Sequence, residues 1–427
     1  MISNKPNKNN IINSFILLSF YIYLFTFIYK YQAGILQNSW LFFHDKTDRF
    51  GDTLKIIYSF SSIFSESELI TLKVPESWIY KNPYNKPFTE GTTLVMSLPP
   101  LTIIFLVISA HFAKLIGVNY LFIFFILTGV LLVIFSKLFF KDFKYNKKII
   151  FILFSFPLLF LLERANMMAA ISGICLFLIF KKFWLGLDFN NLDILLFIIA
   201  CSLRPNYLVF GLIFLFKDNL LLIIVNFLKI GFSYLAFNGI LFFLAPLFLE
   251  NYSFSNFILL IDYYANSNIR YDPWNSSLYN SIYNLYMYRF AEEFVLYRNL
   301  EYVIMFFYSS IILFSFFRSK LNKISQKSFL IISAAGCALM TSPFADYHLI
   351  IFIFLTLLLV SKTETKDFNN LNLVLLLIIL LPKFHSYSPN INISNIINVI
   401  TLNLLIFQNL KSNVETQKIL LKFLKHR

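Results

Sequence analysis

Long hydrophobic runs alternate with short polar segments along the whole chain. The longest runs are 11–29 and 220–249. Further runs lie at 98–113, 119–136, 149–162, 167–180, 192–203, 207–216, 300–317, 328–341, 347–360, 370–382 and 393–408. Their residues are continuously apolar rather than alternately apolar and polar, which predicts helices. Because a helix needs about 20 residues to cross a bilayer, we predict an all-α polytopic bundle of about 11 to 13 transmembrane helices, some of them broken or only partly inserted.

The composition is that of a membrane protein. Of the 427 residues, 58% are hydrophobic and only 14% are charged, which excludes a disordered chain and an ordinary soluble domain. The net charge is +14, but the cations fall in short loops such as 137–148, 181–182 and 318–327 and in the tail 411–427. Since cytoplasmic loops carry this excess of lysine and arginine, the charge indicates topology and not a nucleic-acid partner.

The same charge pattern predicts which segments lie outside. The polar start 1–10 contains two lysines and favours a cytoplasmic N-terminus, so the first span would deliver a long first outer loop, 32–97, to the outer face. A second outer loop follows at 250–298. Two spans between 98 and 136 would place the next lysine-rich loop outside, so either one of them is re-entrant or the charge rule fails there. No internal repeat or linker divides the chain, and we treat 1–427 as one domain.

The first outer loop contains an acidic cluster. Asp45, Asp48 and Asp52 are spaced by three and four residues, so on a helical turn they would share one face. Carboxylates that lie close together are good proton acceptors, which suits a general base, and their oxygens could also hold a divalent cation. The alternative is an ordinary solvated, charged loop.

Polar groups also interrupt the apolar runs at points that we predict to lie on the same outer side. Glu163-Arg164-Ala165-Asn166 separates two runs, where a Glu–Arg pair is costly unless it binds a partner. Arg204 precedes Pro205 between two short runs. Its planar guanidinium suits a phosphate, and the alternative is a cation that snorkels to the membrane boundary. His348 begins a run, where it is as readily a structural histidine as a ligand contact.

The second outer loop contains a mixed aromatic and polar stretch at 270–277. Its Asn275 and Ser277 side chains, beside Trp274, suit sugar recognition, although such residues also form ordinary interfacial belts. The sequence contains no phosphate-binding Gly-rich loop, hydrolase serine motif or Cys/His metal motif. The energy for any reaction must therefore come with the substrate, as it does for a sugar donor activated by a lipid phosphate.

Several of these segments together resemble the integral-membrane GT-C glycosyltransferases, and most specifically glycosyltransferase family 87, the polyprenol-phosphate-mannose-dependent mannosyltransferase relatives. The resemblance covers roughly residues 10–360. The segments that match in order and spacing are Asp48-Arg49-Phe50-Gly51-Asp52-Thr53-Leu54, Leu98-Pro99-Pro100-Leu101, Glu163-Arg164-Ala165-Asn166, Ser202-Leu203-Arg204-Pro205 and Ser342-Pro343-Phe344-Ala345-Asp346-Tyr347-His348. Alanine replaces the family's turn glycine, and the methionine and paired phenylalanines of its first-loop pattern are missing.

The resemblance implies a GT-C-like bundle that performs an inverting transfer of mannose, or another hexose or pentose, from a polyprenyl-phosphate donor to a glycan or lipid acceptor. The donor would be a co-substrate in the membrane lipids. No cofactor or metal is implied as required, although the acidic cluster leaves a divalent cation open. The implied general base is Asp52, with Asp48 as its substitute. The donor phosphate and sugar would be bound by Arg164, Asn166, Arg204 and His348. The acceptor would be bound by Asn275 and Ser277.

Two other functions are open from the sequence. A lipid-linked saccharide flippase or another transporter would place ionisable residues in mid-span along a path, whereas here they lie at span ends on one side. An envelope polysaccharide polymerase would place its arginines and a histidine in one late outer loop, and 250–298 contains arginines but no histidine. We therefore rank the transferase first. The Asn-, Ile-, Lys- and Phe-rich usage indicates an AT-rich bacterial genome, so we expect a multi-pass protein of the plasma (inner) membrane whose site faces the periplasm or exterior.

Overall fold

The described part of the chain is helical. The structure, a computed structural model, describes residues 8–32, 99–117, 155–164, 166–216, 220–247, 253–258, 278–279, 281–282, 297–340, 349–360, 370–382 and 393–411. These residues contain no strand, which confirms the all-helical prediction for this part of the chain. The helices are α1 (Lys8–Gln32), α2 (Pro100–Leu115), α3 (Phe156–Arg164), α4 (Met167–Trp184), α5 (Asn191–Leu203), a long 3₁₀ segment (Pro205–Leu215), α6 (Leu220–Leu244) with a short 3₁₀ turn (Ala245–Leu247), α7 (Tyr297–Lys320), α8 (Gln326–Met340), α9 (Ile350–Val360), α10 (Asn370–Leu380) and α11 (Ile393–Lys411).

Helix α8 lies at the centre of these helices. All of its residues from Ser328 to Met340 are buried, and it packs against α7, α11, the long 3₁₀ segment, α4 and α9. Small residues allow this close packing: a Cβ atom on Gly336 would lie 2.8 Å from Cδ1 of Ile312 on α7. Membrane helices commonly pack through small residues, because these bring two backbones together.

Polar side chains pair between the outer helices of this bundle. Asn372 of α10 and Asn409 of α11 are buried and exchange amide hydrogen bonds of 3.3 and 3.1 Å. The Tyr308 hydroxyl of α7 donates to Oδ1 of Asn403 on α11 at 2.8 Å. Each pair satisfies polar atoms that would be costly in an apolar interior, so the pairs fix the register of α11 against its neighbours.

Two of the described helices, Leu221–Leu247 and Leu300–Lys320, are long and apolar enough to cross a membrane. Only 17% and 33% of the residues in their most apolar windows are buried. Large side chains of the first face outward, such as Phe232 (75% exposed) and Phe243 (81% exposed). The core helix of a soluble protein would bury this surface, so its exposure favours membrane association. The other apolar helices in the described part have 10–17 residues, and the larger number of spans stays a prediction.

The long 3₁₀ segment replaces the α-helix that the apolar run 207–216 was expected to form. It begins at Pro205, and Tyr207, Phe210 and Ile213 are completely buried. A 3₁₀ helix has 3.0 residues per turn, so side chains at this spacing of three form one straight stripe. The Phe210 ring packs edge-on against Phe180 of α4, with ring centroids 4.9 Å apart. Burial of the stripe accounts for a 3₁₀ run that is much longer than usual.

Candidate functional site

The candidate site lies at one end of a hairpin formed by α4 and α5. Asn166 is the N-cap of α4, and Arg204 is the C-cap of α5. The two helices pack against each other, and the turn between them includes Gly186, whose φ of 68° suits glycine. The start of α4 and the end of α5 therefore meet, although 38 residues separate Asn166 from Arg204.

The Asn166 side chain joins the two helix ends. Its Oδ1 accepts a hydrogen bond from the backbone N–H of Ala169 at 2.9 Å, which caps the first turn of α4. The same oxygen accepts a hydrogen bond from Nη2 of Arg204 at 2.9 Å. Asn166 is only 7% exposed, and Arg204 is partly exposed. A buried amide thus orients the guanidinium of a partly exposed arginine.

Pro205 determines where the arginine lies. The residue before a proline is disfavoured in the α conformation, and Arg204 has φ −144° and ψ 88°. Its N–H still donates to the carbonyl of Ala200 at 2.9 Å, while its own carbonyl accepts from the N–H of Tyr207 at 3.0 Å. Arg204 is therefore the corner residue between α5 and the long 3₁₀ segment.

Helix α8 packs against the long 3₁₀ segment next to this corner. The Cys337 thiol donates to the backbone carbonyl of Asn206 at 3.3 Å, and Cys337 is completely buried. On the other side, Nδ2 of Asn238 on α6 donates to the Ser202 hydroxyl at 2.9 Å and to the carbonyl of Tyr234 at 2.9 Å. Side chains from two neighbouring helices thus hold the chain on each side of Arg204, at Ser202 and at Asn206.

The electrostatics of this corner favour an anion. The N–H groups in the first turn of α4 give that helix end a partial positive charge. The Arg204 guanidinium adds a full positive charge at the same place. Asn166 is neutral, so its hydrogen bond to Arg204 orients the guanidinium without placing a negative charge against it. Backbone N–H groups and a guanidinium are both typical ligands of phosphate oxygens.

The structure brings together two of the residues predicted to bind the donor, Asn166 and Arg204. The backbone of Arg164 ends α3 two residues before Asn166, and its side chain lies outside the described residues. The other predicted site residues lie outside the described residues as well: Asp48, Asp52, His348, Asn275 and Ser277. Their roles, and the role of Asn166 and Arg204 toward a donor, stay predictions.

Two residues with structural roles at or beside the hairpin were not predicted from the sequence. Asp193 forms a capping box with Asn190, and its carboxylate accepts from Nζ of Lys182 at 2.7 Å. The sequence signal is an Asn followed three residues later by Asp at the start of an apolar run. Asn238 is the second, and its signal is an amide in the middle of the run 220–249.

Among the described residues, no group of three or more His, Cys, Asp or Glu side chains is placed to hold a metal ion. The acidic cluster at Asp45, Asp48 and Asp52 lies outside these residues. No family model, curated protein or solved structure matches the chain. The described residues thus form helices, two of them long and apolar enough to cross a membrane, with an oriented arginine at the corner of a helical hairpin.

Proposed function

We propose that this chain is a polytopic membrane glycosyltransferase of the GT-C type, which transfers a sugar from a polyprenyl-phosphate donor to a glycan or lipid acceptor. The observation that carries the proposal is the 2.9 Å hydrogen bond between Arg204 and Asn166 at the start of α4. These residues come from two separate segments of the GT-C resemblance. Their contact supports a common role at one site.

The donor phosphate provides the chemical reason for an arginine at this place. When the bond between the sugar C1 and the phosphate oxygen breaks, negative charge accumulates on the departing polyprenyl phosphate. The Arg204 guanidinium and the N–H groups of α4 would stabilise that charge, and Asn166 holds the guanidinium in one orientation before the reaction. Preorganised donors of this kind typically contribute about 3 kcal/mol of transition-state stabilisation.

The remaining roles follow the resemblance. Asp52, with Asp48 as its substitute, takes the proton from the acceptor hydroxyl, whose oxygen forms the new bond to C1 as the phosphate leaves from the opposite face. The configuration at C1 is therefore inverted. Arg164 and His348 bind the donor together with Arg204, and Asn275 and Ser277 contact the acceptor. The outward apolar surfaces of α6 and α7 support a site at the surface of a bacterial plasma membrane.

The decisive experiment is the transfer of radiolabelled sugar from polyprenyl-phosphate donors to a membrane-lipid extract. Purified wild type is compared with Asp52→Asn and with Lys323→Gln, which changes an exposed residue after α7. Product with wild type and Lys323→Gln, and its loss with folded Asp52→Asn, is the expected result. Equal activity of Asp52→Asn would assign the base to Asp48 or Asp45. No transfer from any donor, together with movement of lipid-linked sugar across proteoliposomes, would replace the transferase with a flippase.

A further inference from the structure

A cavity of about 380 Å³ lies at the other end of the α4–α5 hairpin. Its walls come from the turn after α4, the start of α5, the end of the long 3₁₀ segment, one face of α6 and the start of α8. Ile194 of α5 lines it, ten residues before Arg204 on the same helix. At about 1.5 Å per residue, roughly 15 Å of helix separates this cavity from the candidate site. The cavity is therefore separate from the candidate site.

The cavity contains the single charged residue of α6. Lys229 is the only Lys, Arg, Asp or Glu in Leu220–Leu244, and it lines the cavity with Asn226 one turn before it. It lies nine residues after Leu220, which is about 13 Å along the helix axis. Lys229 is exposed on this wall, so its ammonium is accessible to an anion in the cavity. A cation in an otherwise apolar helix is stabilised when an anion pairs with it.

The other lining groups fit an amphiphilic ligand. Asp188 and Gln326 supply polar atoms beside Lys229 and Asn226. Four other lining residues are phenylalanines in contact: the rings of Phe189 and Phe214 are 4.6 Å apart, and those of Phe183 and Phe216 are 5.2 Å apart. A volume of this size, mostly apolar with a few convergent polar groups, is typical of a small-ligand site.

Further cations surround this end of the bundle. Nζ of Lys320 lies 3.5 Å from the carbonyl oxygen of Leu215, next to Phe216 of the cavity wall. Nζ of Lys327 lies 4.9 Å from the ring centroid of Trp184. The chain here has the basic character of a cytoplasmic membrane surface, where phosphate headgroups are concentrated. Lys229, Lys320 and Lys327 outnumber the carboxylate of Asp188 on the cavity wall, so this end is basic overall and charge complementarity favours a phosphate among the polar groups of an amphiphile.

We propose that this cavity binds one membrane phospholipid. The phosphate lies on the Lys229 ammonium, Asn226 and Gln326 contact the headgroup and glycerol, and the phenylalanine rings cover the first carbons of the acyl chains. The proposal does not depend on the proposed transferase activity. It assigns Lys229 to a ligand rather than to snorkelling, in which the side chain would only extend toward water.

Short-chain lipids test the proposal with the full protein in detergent. Dioctanoylphosphatidylglycerol is titrated into wild type, Lys229→Gln, Lys229→Arg and the control Lys323→Gln, with native mass spectrometry and thermal unfolding as readouts. We expect at least about tenfold weaker binding to Lys229→Gln, because a charge-assisted hydrogen bond is lost. Lys229→Arg and Lys323→Gln should bind within about threefold of wild type.

Two further probes separate the parts of the ligand. Dioctanoylglycerol, which lacks the phosphate, should bind weakly and equally to wild type and Lys229→Gln. Glycerol 3-phosphate, which lacks the acyl chains, should give no shift in the unfolding temperature. Equal binding of the phospholipid to wild type and Lys229→Gln would overturn the proposal. So would tight binding of either partial probe. If Lys229→Gln does not fold, Lys229→Met, which also removes the charge, takes its place with the same expected loss of binding.

Discussion

The two ends of the α4–α5 hairpin both contain a cation held by a side chain of the other helix or its cap, but the partners differ. At one end the Arg204 guanidinium donates to the neutral amide of Asn166. At the other end the Lys182 ammonium forms a 2.7 Å ion pair with Asp193, which is only 3% exposed and also accepts from the N–H of Asn190. The second arrangement cancels charge and closes a turn. The first orients a guanidinium through a neutral amide, which is an arrangement suited to binding an anion.

The largest effect should come from removing the oriented charge. We expect Arg204→Gln to lower the rate of sugar transfer by about 100- to 1000-fold, because one preorganised donor to the leaving phosphate is lost. The unfolding temperature should change little, since Arg204 is partly exposed. Arg318→Gln is the matched control, because Arg318 donates to the carbonyl of Leu410 away from the site. Sugar transfer by Arg204→Gln at the wild-type rate would show that Arg204 does not bind the leaving phosphate.

Removing the charge at the other end should affect stability instead. Asp193→Asn leaves the Lys182 ammonium without its carboxylate and weakens the cap of α5. We expect a loss of about 2 kcal/mol in the free energy of unfolding, less than for a fully buried pair because Lys182 is partly exposed. Thermal unfolding in detergent measures this loss. The transfer rate per folded molecule should stay near the wild-type value, and a fall like that of Arg204→Gln would contradict the assignment.

A third variant gives Arg204 a carboxylate partner, like the one that Lys182 has at the other end of the hairpin. Asn166→Asp should keep the cap of α4, because Asp is as good an N-cap as Asn. It should also place a carboxylate against Arg204 and cancel its charge. We expect transfer to fall by about tenfold, since the donor phosphate then competes with an ion pair. The same preparation should unfold within about 1 kcal/mol of wild type, and unchanged transfer would show that the neutrality of Asn166 does not matter.

The smallest effect concerns the corner itself. Pro205→Ala removes the restriction that keeps Arg204 out of the α conformation. We expect a loss of about 0.5–1 kcal/mol in the free energy of unfolding, chiefly because the unfolded chain becomes more flexible. Differential scanning calorimetry on wild type and Pro205→Ala would detect this loss of stability. Pro99→Ala, which changes the proline before α2, is the matched control. An increase in stability would mean that the proline strains the corner.

The positions of the helices follow from the sequence, because an apolar run must satisfy its backbone hydrogen bonds internally. The run 192–203 became Asn191–Leu203, and the run 300–317 lies within Tyr297–Lys320. The 3₁₀ geometry of 205–215 was not predicted. Its composition is that of any apolar helix, and only the burial of every third side chain distinguishes it.

The site was predictable in its residue types but not in its contacts. Arg204 and Asn166 were each selected as polar groups at the ends of apolar runs, and nothing in the sequence states that they share a hydrogen bond. That contact depends on the pairing of α4 with α5. The bonds of Ser202 to Asn238 and of Cys337 to Asn206 depend in the same way on how distant helices pack.

The long 3₁₀ segment connects Arg204 directly to Phe216, and so sets the spacing between the candidate site and the cavity. Its 11 residues extend roughly 22 Å at the 3₁₀ rise, but would extend only about 16 Å as an α-helix. A change of helix type would therefore shorten this connection by about 6 Å and rotate its far end by roughly 220°. Phe216 would then leave its place between Phe183 and Phe329. The distance between the two ends is thus encoded in the helix type and not only in the number of residues.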